Sequence, residues 1–347
     1  MKILFFINSL KHKSGTERVA CNLANLFSDD LNFEVAIINR DTDFNDAAYH
    51  LSDNVNVIKA AGNFFDFYNQ SQSYIKSFMP DILIFHNMGK LSLLLSLLRK
   101  NGAKSVSLEH VAFDIRPHWV KVFSKILYRN IDGVVVLTDH DKESYHFFKN
   151  KLTKICNISP YSIDQNLVYD ANCFDIISIG RLTYQKNFSS LLDAWKLISD
   201  NNPKWKLKIY GTGEDQSLLT NKIIDEKLSN VFLLGAVSNV DQIYKKSAFF
   251  VMSSRFEGLP MVLIEAQTFG LPIISYDCPH GPAEVIKHGL NGLLVENQNY
   301  ELLANAIQEL IDNECKRISL SSQAVQDAER YSVESVLSVW KNFLASL

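Results

Sequence analysis

Short apolar runs recur along this chain and alternate with longer segments in which apolar residues return every three or four positions. The runs are nearly continuous in Val, Ile, Leu and Phe, which is typical of strands covered on both faces of a parallel sheet. The segments between them have the spacing of amphipathic helices. This alternation predicts a doubly wound α/β fold.

The predicted strands fall into two series. The first series comprises Lys2–Asn8, Glu34–Asn39, Val55–Lys59, Asp81–His86, Lys104–Leu108 and Gly133–Thr138. The second series comprises Asp175–Gly180, Lys206–Tyr210, Val231–Leu234, Ala248–Met252, Pro272–Tyr276 and Gly292–Val295. Helical spacing is clearest in Glu17–Asp29, Phe188–Ser199, Glu214–Leu228 and Tyr300–Asn313, and the run Leu91–Leu98 predicts a buried helix.

A segment without clear periodicity, 157–175, separates the two series and contains Pro160 with several Asn and Asp residues. We place the boundary near Ile163, which predicts an amino-terminal domain of residues 1–163 and a carboxyl-terminal domain of residues 164–331. The last segment, 332–347, is predicted as a helix that packs back on the first domain. Ligands of such folds bind outside the carboxyl ends of the strands, here in a cleft between two sheets.

Composition and charge narrow the classes of partner. Of 347 residues, 35 are basic and 38 acidic, and this net charge of −3 gives no overall electrostatic footprint for nucleic acid. The apolar start of the chain is too short for a signal peptide or a membrane span, so a cytoplasmic location is expected. The five cysteines show no CxxC or metal-type spacing, which favours reduced thiols.

Two loops at predicted strand ends are suited to an anion. Gly15 precedes a helix whose backbone N–H groups can meet an anion, although a simple Ser/Thr helix cap is the alternative. Arg181 and Lys186 bracket a strand-to-helix turn in the second series. These two cations predict a clamp for a diphosphate, and the alternative is a pair of solvated surface residues.

Two carboxylates flank the start of a predicted helix, 260–269. Glu257 lies in the loop before it, and Gly258 lets the backbone approach a ligand closely. Glu265 lies inside the helix among apolar neighbours, which argues against simple exposure, and its side chain tilts back toward the loop. Both acids can accept hydrogen bonds from sugar hydroxyls; the alternatives are a helix-dipole partner for Glu257 and an exposed residue for Glu265.

A histidine, His110, follows a predicted strand of the first series. It can donate a hydrogen bond to a sugar hydroxyl or to a developing charge across the cleft. The alternative is a purely structural histidine.

Together these residues resemble the retaining glycosyltransferases of the GT4 family, which have the GT-B architecture of two Rossmann-like domains that face each other. Glu257 and Glu265 match the two acids of that family's E-x7-E motif, and 180–186 matches its phosphate clamp. The segment 209–214 matches its glycine turn, and 14–18 matches its GGxER loop except that Ser14 replaces the first Gly.

The resemblance implies a role for each matched residue. Arg181 and Lys186 would hold the donor's diphosphate, Glu265 the nucleotide ribose and Glu257 the donor sugar. The residues carried over as donor-binding are Gly15, Arg181, Lys186, Glu257, Gly258, Leu259 and Glu265, and those carried over as catalytic are His110, Arg181, Lys186 and Glu257. The resemblance also implies retention of configuration without a metal or other cofactor, because cations and helix dipoles offset the charge of the leaving group.

The segments 276–286 and 291–295 resemble a bacterial surface-polysaccharide subgroup. This implies a UDP-linked hexose or N-acetylhexosamine as donor and a polyprenyl-diphosphate-linked glycan as acceptor. A GDP-mannose-dependent mannosyltransferase and a GT-B nucleotide-sugar epimerase remain alternatives. A binding protein without turnover is disfavoured, because clamping a leaving diphosphate matters mainly in the transition state.

One predicted helix, 118–129, combines basic and apolar residues at helical spacing. Its basic stripe consists of Lys121, Lys125 and Arg129, and its apolar side consists of Trp119, Val122, Phe123, Ile126 and Leu127. Such a helix can lie on an anionic leaflet or hold a polyprenyl diphosphate. That interpretation predicts peripheral contact with the inner face of the plasma membrane; the alternative is a surface helix whose apolar side packs on the core.

Overall fold

The computed structural model of the protein describes residues 1–12, 15–41, 46–60, 62–87, 90–110, 113, 116–164, 166 and 168–347. The chain forms two compact units. The first unit consists of Met1–Ile158 and Val336–Leu347, and the second unit consists of Ser159–Ser335. The units therefore meet in sequence a few residues before the Ile163 boundary expected from the sequence, and the carboxyl-terminal segment belongs to the first unit.

The first unit is built on a seven-stranded sheet. Its strands are β1 (Lys2–Ile7), β2 (Glu34–Asn39), β3 (Val55–Lys59), β4 (Ile82–Asn87), β5 (Lys104–Glu109), β6 (Gly133–Val136) and β7 (Leu152–Lys154). Its helices include α1 (Gly15–Asn25), α2 (Phe64–Phe78), α3 (Lys90–Leu95), α4 (His118–Leu127) and α5 (Asp139–Ser144). All neighbouring strands are parallel, in the order β3-β2-β1-β4-β5-β6-β7.

The second unit repeats this plan with a six-stranded sheet. Its strands are β8 (Asp175–Ile179), β9 (Lys206–Tyr210), β10 (Val231–Leu233), β11 (Phe249–Met252), β12 (Ile273–Tyr276) and β13 (Gly292–Val295). Its helices are α6 (Phe188–Ile198), α7 (Gln216–Asp225), α8 (Val240–Lys245), α9 (Met261–Thr268), α10 (Pro282–Val285), α11 (Tyr300–Asp312) and α12 (Glu314–Ala328), followed by α13 (Val333–Ser346), most of which belongs to the first unit. The parallel strands run in the order β10-β9-β8-β11-β12-β13.

In both sheets the strand order reverses once, between β1 and β4 and between β8 and β11. This is the doubly wound arrangement, in which a crevice opens at the point of reversal. The predicted fold class is confirmed, and every strand of the two predicted series is present. The short strand β7 was missed because its three residues carry one apolar side chain and are only half-buried.

The predicted buried helix Leu91–Leu98 is also present in large part. The helix α3 ends at Leu95, and the side chains of Leu91, Leu93 and Leu95 lie in the core of the first unit. Among the helices of the described residues, none combines the length and the apolar character needed to cross a membrane.

The carboxyl-terminal helix α13 is anchored in the first unit by aromatic residues. Trp340 is 1% exposed and packs edge-on against Phe27, with the ring centres 5.5 Å apart. Phe343 lies against Gly133 of β6 so closely that a Cβ atom there would be 2.7 Å from its ring. The first unit therefore depends on residues that come after the whole of the second unit in the sequence.

Truncation of Trp340 tests whether the first unit depends on the carboxyl-terminal helix. We expect Trp340→Ala to destabilise the protein by about 3–5 kcal/mol, because a large buried ring is replaced by a cavity. Chemical denaturation followed by circular dichroism measures the change. Val339→Ala is the matched control on the same helix, since Val339 is 41% exposed. Equal stability of the two variants would contradict the role given to Trp340.

Candidate functional site

The point of strand reversal in the second unit brings together two predicted site residues. β8 and β11 are hydrogen-bonded neighbours, so the loops that follow them meet at one edge of the sheet. Lys186 from the first loop places its Nζ atom 2.6 Å from Oε1 of Glu257 in the second. The Glu257 side chain is 8% exposed and that of Lys186 is 20% exposed. Lys186 is therefore not a solvated surface cation, and the contact is a largely buried ion pair.

The glycine turn after β9 supports the loop that carries Lys186. Gly211 has φ of 144°, and a Cβ atom there would lie 1.8 Å from the Gly180 carbonyl oxygen, so no other residue fits. The Leu182 N–H donates to the Thr212 carbonyl oxygen over 2.9 Å. The two loops are thus joined backbone to backbone, which gives Gly211 a structural reason to be glycine.

The turn that contains Glu257 is covered by the loop after β12. Gly281 has φ of 81°, and a Cβ atom there would lie 1.7 Å from the Gly258 carbonyl oxygen. Leu259 is 6% exposed, so its side chain packs in the interior and only its backbone could meet a donor. Burial and the nearby Glu257 carboxylate raise the pKa of the Cys278 thiol to about 12, so this cysteine stays protonated beside the site.

Arg255 connects three loops of this region and was not singled out from the sequence. Its Nε atom donates to the Tyr184 carbonyl oxygen over 3.1 Å, and its Nη2 atom donates to Oδ1 of Asn187 over 2.8 Å. Its Nη1 atom donates to the side-chain oxygen of Gln298, in the loop after β13. Arg255 thereby holds residues on both sides of Lys186, the backbone of Tyr184 and the side chain of Asn187, a role that only the folded arrangement of the loops reveals.

The other two charged residues of the predicted donor site, Arg181 and Glu265, do not join the ion pair. Arg181 is exposed and, among the residues that the structure describes, makes no hydrogen bond or ion pair. Glu265 is 2% exposed and accepts a hydrogen bond from the Tyr244 hydroxyl over 3.0 Å. The apolar setting therefore predicted its burial correctly, and an exposed helix residue is excluded. A ribose contact for Glu265 stays a prediction.

In the first unit, the point of strand reversal holds Gly15 and two histidines. Gly15 is exposed at the start of α1, while Ser14 lies outside the described residues. His110 follows β5, and its ring centre is 4.1 Å from that of His86 at the end of β4. His86 is 1% exposed and lies within hydrogen-bond distance of the Thr16 carbonyl oxygen. His86 was not among the predicted site residues, because a histidine inside an apolar strand looks structural.

Glu109, the residue before His110, forms a buried ion pair in the first unit. Glu109 is 2% exposed, pairs with the guanidinium of Arg116 and accepts a hydrogen bond from the Tyr128 hydroxyl over 2.8 Å. Arg116 lies just before α4, so this buried pair ties the start of that helix to β5. Burial and the Glu109 carboxylate raise the pKa of the Tyr128 hydroxyl, which remains a donor.

The helix α4 has three stripes, and the structure does not support the alternative in which its whole apolar side packs on the core. Inward-facing positions are occupied by Val120 and Ser124, which are 1% and 0% exposed. Four of the five residues that this alternative places on the core are exposed: Trp119 by 50%, Val122 by 43%, Phe123 by 49% and Ile126 by 54%. The fifth, Leu127, is half-buried and packs against the same core cluster as Val120. Of the predicted basic stripe, Lys125 and Arg129 are exposed and Lys121 is half-buried.

Within the described ranges, no group of three or more His, Cys, Asp or Glu side chains is arranged to hold a metal ion. Catalysis without a metal stays a prediction, as implied by the family resemblance.

Two doubly wound parallel sheets in one chain define the GT-B class of fold. The same fold occurs in Anabaena HepE, solved in complex with UDP-glucose. The two structures superpose with a TM-score of 0.83 over 100% of each chain at 20% sequence identity, a likeness that shows the fold alone.

The sequence comparisons identify the family. Residues 163–327 match the family described as glycosyl transferases group 1. The amylovoran biosynthesis glycosyltransferase AmsD of Erwinia amylovora is 33% identical over 99% of this chain and 99% of its own length. The chain therefore belongs to the group 1 glycosyltransferases and is a transferase enzyme. A Campylobacter jejuni relative, named as an α-1,4-N-acetyl-D-galactosaminyltransferase acting on a diNAcBac-PP-undecaprenol glycan, is 26% identical over 100% of this chain and 99% of its own length.

The buried ion pair generates a prediction that needs no ligand. Lys186→Met is expected to lower the free energy of unfolding by about 1–3 kcal/mol, because the Glu257 carboxylate is left buried without a cation. The double variant Lys186→Met/Glu257→Gln should recover part of this loss, since an amide leaves no uncompensated charge. Urea unfolding measures both changes.

A surface pair serves as the control for this measurement. Lys316 pairs with Glu309, whose side chain is 48% exposed, so Lys316→Met should change the stability by less than about 1 kcal/mol. A loss at Lys186 no larger than the loss at Lys316 would mean that the Lys186–Glu257 pair is not buried in solution.

Proposed function

We propose that this glycosyltransferase moves a hexose or N-acetylhexosamine from a UDP sugar to a lipid-linked glycan with retention of configuration. The second unit binds the donor, and the first unit binds the acceptor. The product would extend a surface polysaccharide such as a capsule or a lipopolysaccharide. The observation that carries the proposal is the contact between Lys186 and Glu257 at the point of strand reversal.

This contact places a cation beside a carboxylate, the two groups needed to bind the phosphate and the sugar hydroxyls of a nucleotide sugar. A lysine ammonium has three donors, and Glu257 occupies one of them, so Lys186 can hold a phosphate oxygen and Glu257 together. The second carboxylate oxygen of Glu257 lies 3.4 Å from Nε2 of Gln185 and can accept a hydroxyl of the donor sugar. One ion pair thus places a phosphate site and a sugar site side by side.

The leaving group is a diphosphate whose charge grows as its bond to the sugar breaks. Lys186 and the exposed guanidinium of Arg181 offset this charge, together with the start of α6 directly after the clamp loop. The acceptor hydroxyl attacks on the face from which the diphosphate departs, so the configuration at the anomeric carbon is retained. No metal is needed in this scheme.

Three similar proteins support the choice of substrates. HepE was solved with UDP-glucose, which favours a UDP sugar as donor. The Campylobacter relative is named for a PP-undecaprenol glycan, which favours a lipid-linked acceptor. AmsD is named for amylovoran biosynthesis, which favours a place in the synthesis of a surface polysaccharide. These names also favour sugar transfer over epimerisation of the donor.

Removal of the exposed cation tests the clamp. Arg181→Ala should lower kcat for sugar transfer by about 100–1,000-fold, because a donor that stabilises the leaving charge is lost. The folded protein should be little affected, since the exposed Arg181 side chain makes no hydrogen bond or ion pair among the described residues that a truncation would break. Transfer from a panel of UDP and GDP sugars to a lipid-linked acceptor, with release of the nucleotide as the signal, provides the measurement.

Lys204→Ala is the control for this experiment, because Lys204 is an exposed cation of the same unit away from the clamp loop. Transfer at the parent rate by Arg181→Ala would show that the clamp is wrongly assigned. Faster transfer from GDP sugars than from UDP sugars would mean that the donor nucleotide is GDP, and the assignment of the clamp would still stand.

We further infer that α4 contacts the anionic membrane in which a lipid-linked acceptor resides. The exposed apolar stripe of Trp119, Val122, Phe123 and Ile126 lies beside Lys121 and Lys125 on the same helix, and Arg129 follows in the next turn. Such an arrangement lets the rings enter the headgroup region while the cations meet lipid phosphates. Cations also lie close to aromatic rings in this region. The Lys125 Nζ atom of the basic stripe lies 4.6 Å from the centre of the Phe147 ring, and the Lys90 Nζ atom lies 5.7 Å from that of Trp119.

Flotation with liposomes tests the membrane contact. The parent protein should float with vesicles that contain phosphatidylglycerol, and much less with pure phosphatidylcholine, because each basic residue near an anionic surface contributes about 1 kcal/mol. Two triple variants should remain in the unbound bottom fraction: Trp119→Ser/Phe123→Ser/Ile126→Ser and Lys121→Glu/Lys125→Glu/Arg129→Glu. The control Met79→Ser/Leu97→Ser removes other exposed apolar residues of the first unit, 69% and 51% exposed, and should float like the parent. Equal flotation of all four proteins would exclude α4 as the contact.

A further inference from the structure

The loop that carries Lys186 is held by the residues that directly follow β11. The Tyr184 carbonyl oxygen accepts a hydrogen bond from Nε of Arg255 over 3.1 Å, and the Gln185 carbonyl oxygen accepts one from the Arg255 backbone N–H over 2.8 Å. The Lys186 carbonyl oxygen accepts a hydrogen bond from the Ser253 hydroxyl over 3.1 Å. Three successive carbonyl groups at Lys186 are therefore fixed from one neighbouring loop.

The residue after Lys186 is held by the guanidinium of Arg255. Nη2 of Arg255 donates to Oδ1 of Asn187 over 2.8 Å. Asn187 is 4% exposed, has a left-handed φ of 52° and forms no side-chain cap on α6, although asparagine favours that role. Its side chain is thus committed to Arg255, and this bond secures the turn directly after Lys186.

The contacts of Arg255 require the planar fork of a guanidinium. Besides Tyr184 and Asn187, the side chain reaches the loop after β13, where Nη1 donates to the side-chain oxygen of Gln298. All three acceptors are neutral oxygens, so a carboxylate is not what holds the guanidinium in place. Arginine presents five N–H donors in fixed directions, whereas lysine carries the same charge on a single nitrogen atom. Lysine could therefore replace the charge of Arg255 but not its three simultaneous bonds.

We propose that Arg255 is a positioning residue for Lys186, and that its fork rather than its charge is what sugar transfer requires. Lys186 also holds Glu257 over 2.6 Å, so a displaced loop would move the cation and the carboxylate together. A misplacement of about 1 Å in a positioned group can cost about 100-fold in rate. The role of Lys186 toward a diphosphate rests on the proposed function, whereas the fixing of its loop by Arg255 does not.

Substitution by lysine separates the fork from the charge. Arg255→Lys should lower kcat by about tenfold to 100-fold, because Lys186 is no longer held where the charge of the leaving group grows. KM for the donor should change by less than about threefold, since the lost interaction matters mainly in the transition state. A kcat equal to that of the parent would show that the charge suffices and would overturn the proposal.

Arg317→Lys is the matched control, because Arg317 is a buried arginine of the same unit with a structural role. It is 3% exposed, and its guanidinium donates to the carbonyl oxygens of Leu310, Ile311 and Ala171. None of these residues belongs to the candidate site. Arg317→Lys should lower the stability but leave kcat per folded molecule within about twofold of the parent. An equal loss of kcat in both variants would make the role of Arg255 merely structural and overturn the proposal.

A double-mutant cycle tests whether Arg255 acts through Lys186. In protein that already carries Lys186→Met, adding Arg255→Lys should change kcat by less than about twofold, because the group that Arg255 positions is absent. If instead the two losses multiply, Arg255 acts on the reaction independently of Lys186, and the proposal is overturned.

Hydrogen exchange tests the fixed loop without any substrate. The N–H groups of Lys186 and Asn187 donate to the Thr183 carbonyl oxygen over 3.0 and 3.2 Å. Their exchange, followed by mass spectrometry, should be faster in Arg255→Lys than in the parent and unchanged in Arg317→Lys, because only the first change loosens this loop. Unchanged exchange in Arg255→Lys would overturn the proposal.

These measurements separate this proposal from the proposed function. If the parent transfers no nucleotide sugar, the proposed function fails, while the exchange rates still decide whether Arg255 holds the loop. If the parent transfers sugar and Arg255→Lys matches it in kcat and in exchange, the positioning role fails and the transferase assignment stands.

Discussion

The reversal of strand order in each sheet is the constraint on which the rest of this structure depends. Where the order reverses, the loops after two adjacent parallel strands turn to opposite faces and leave an open crevice between them. In the second unit this places the loop of Lys186 beside the turn of Glu257. In the first unit it places the start of α1 beside His86. One topological rule, applied twice, positions the candidate chemistry of both units.

The charges gathered at these edges are stable because each buried one has a partner. Glu257 is balanced by Lys186, and Glu109 is balanced by Arg116. The two imidazoles of the first unit escape the same cost by remaining neutral, since protonating a desolvated ring is unfavourable. Arg181 differs from all of these, because it is exposed and has no protein counter-charge among the described residues. An anionic ligand is the partner that this distribution suits.

Positioning residues supply the rigidity that such a site requires. Arg255 fastens the clamp loop through bonds to Tyr184 and Asn187, and close glycine contacts join the neighbouring loops backbone to backbone. A loop held in this way would lose little freedom on binding the proposed diphosphate, so more of the interaction energy would remain for the transition state. Motifs that name only the residues in contact with substrate leave this supporting layer out.

The sequence by itself determined the order and bounds of nearly all strands, the doubly wound class, and the burial of Glu265, because apolar spacing and turn residues act locally. It also pointed to Lys186 and Glu257 through their motif. Only the tertiary structure decided that these two residues form an ion pair, since they are 71 positions apart and meet through strand order. The contacts of Arg255 and His86 likewise depend on atoms from distant loops. The sequence left open whether the apolar stripe of α4 faces the core, because a helical wheel shows which residues share a face, whereas the packing of neighbouring elements decides which face turns inward.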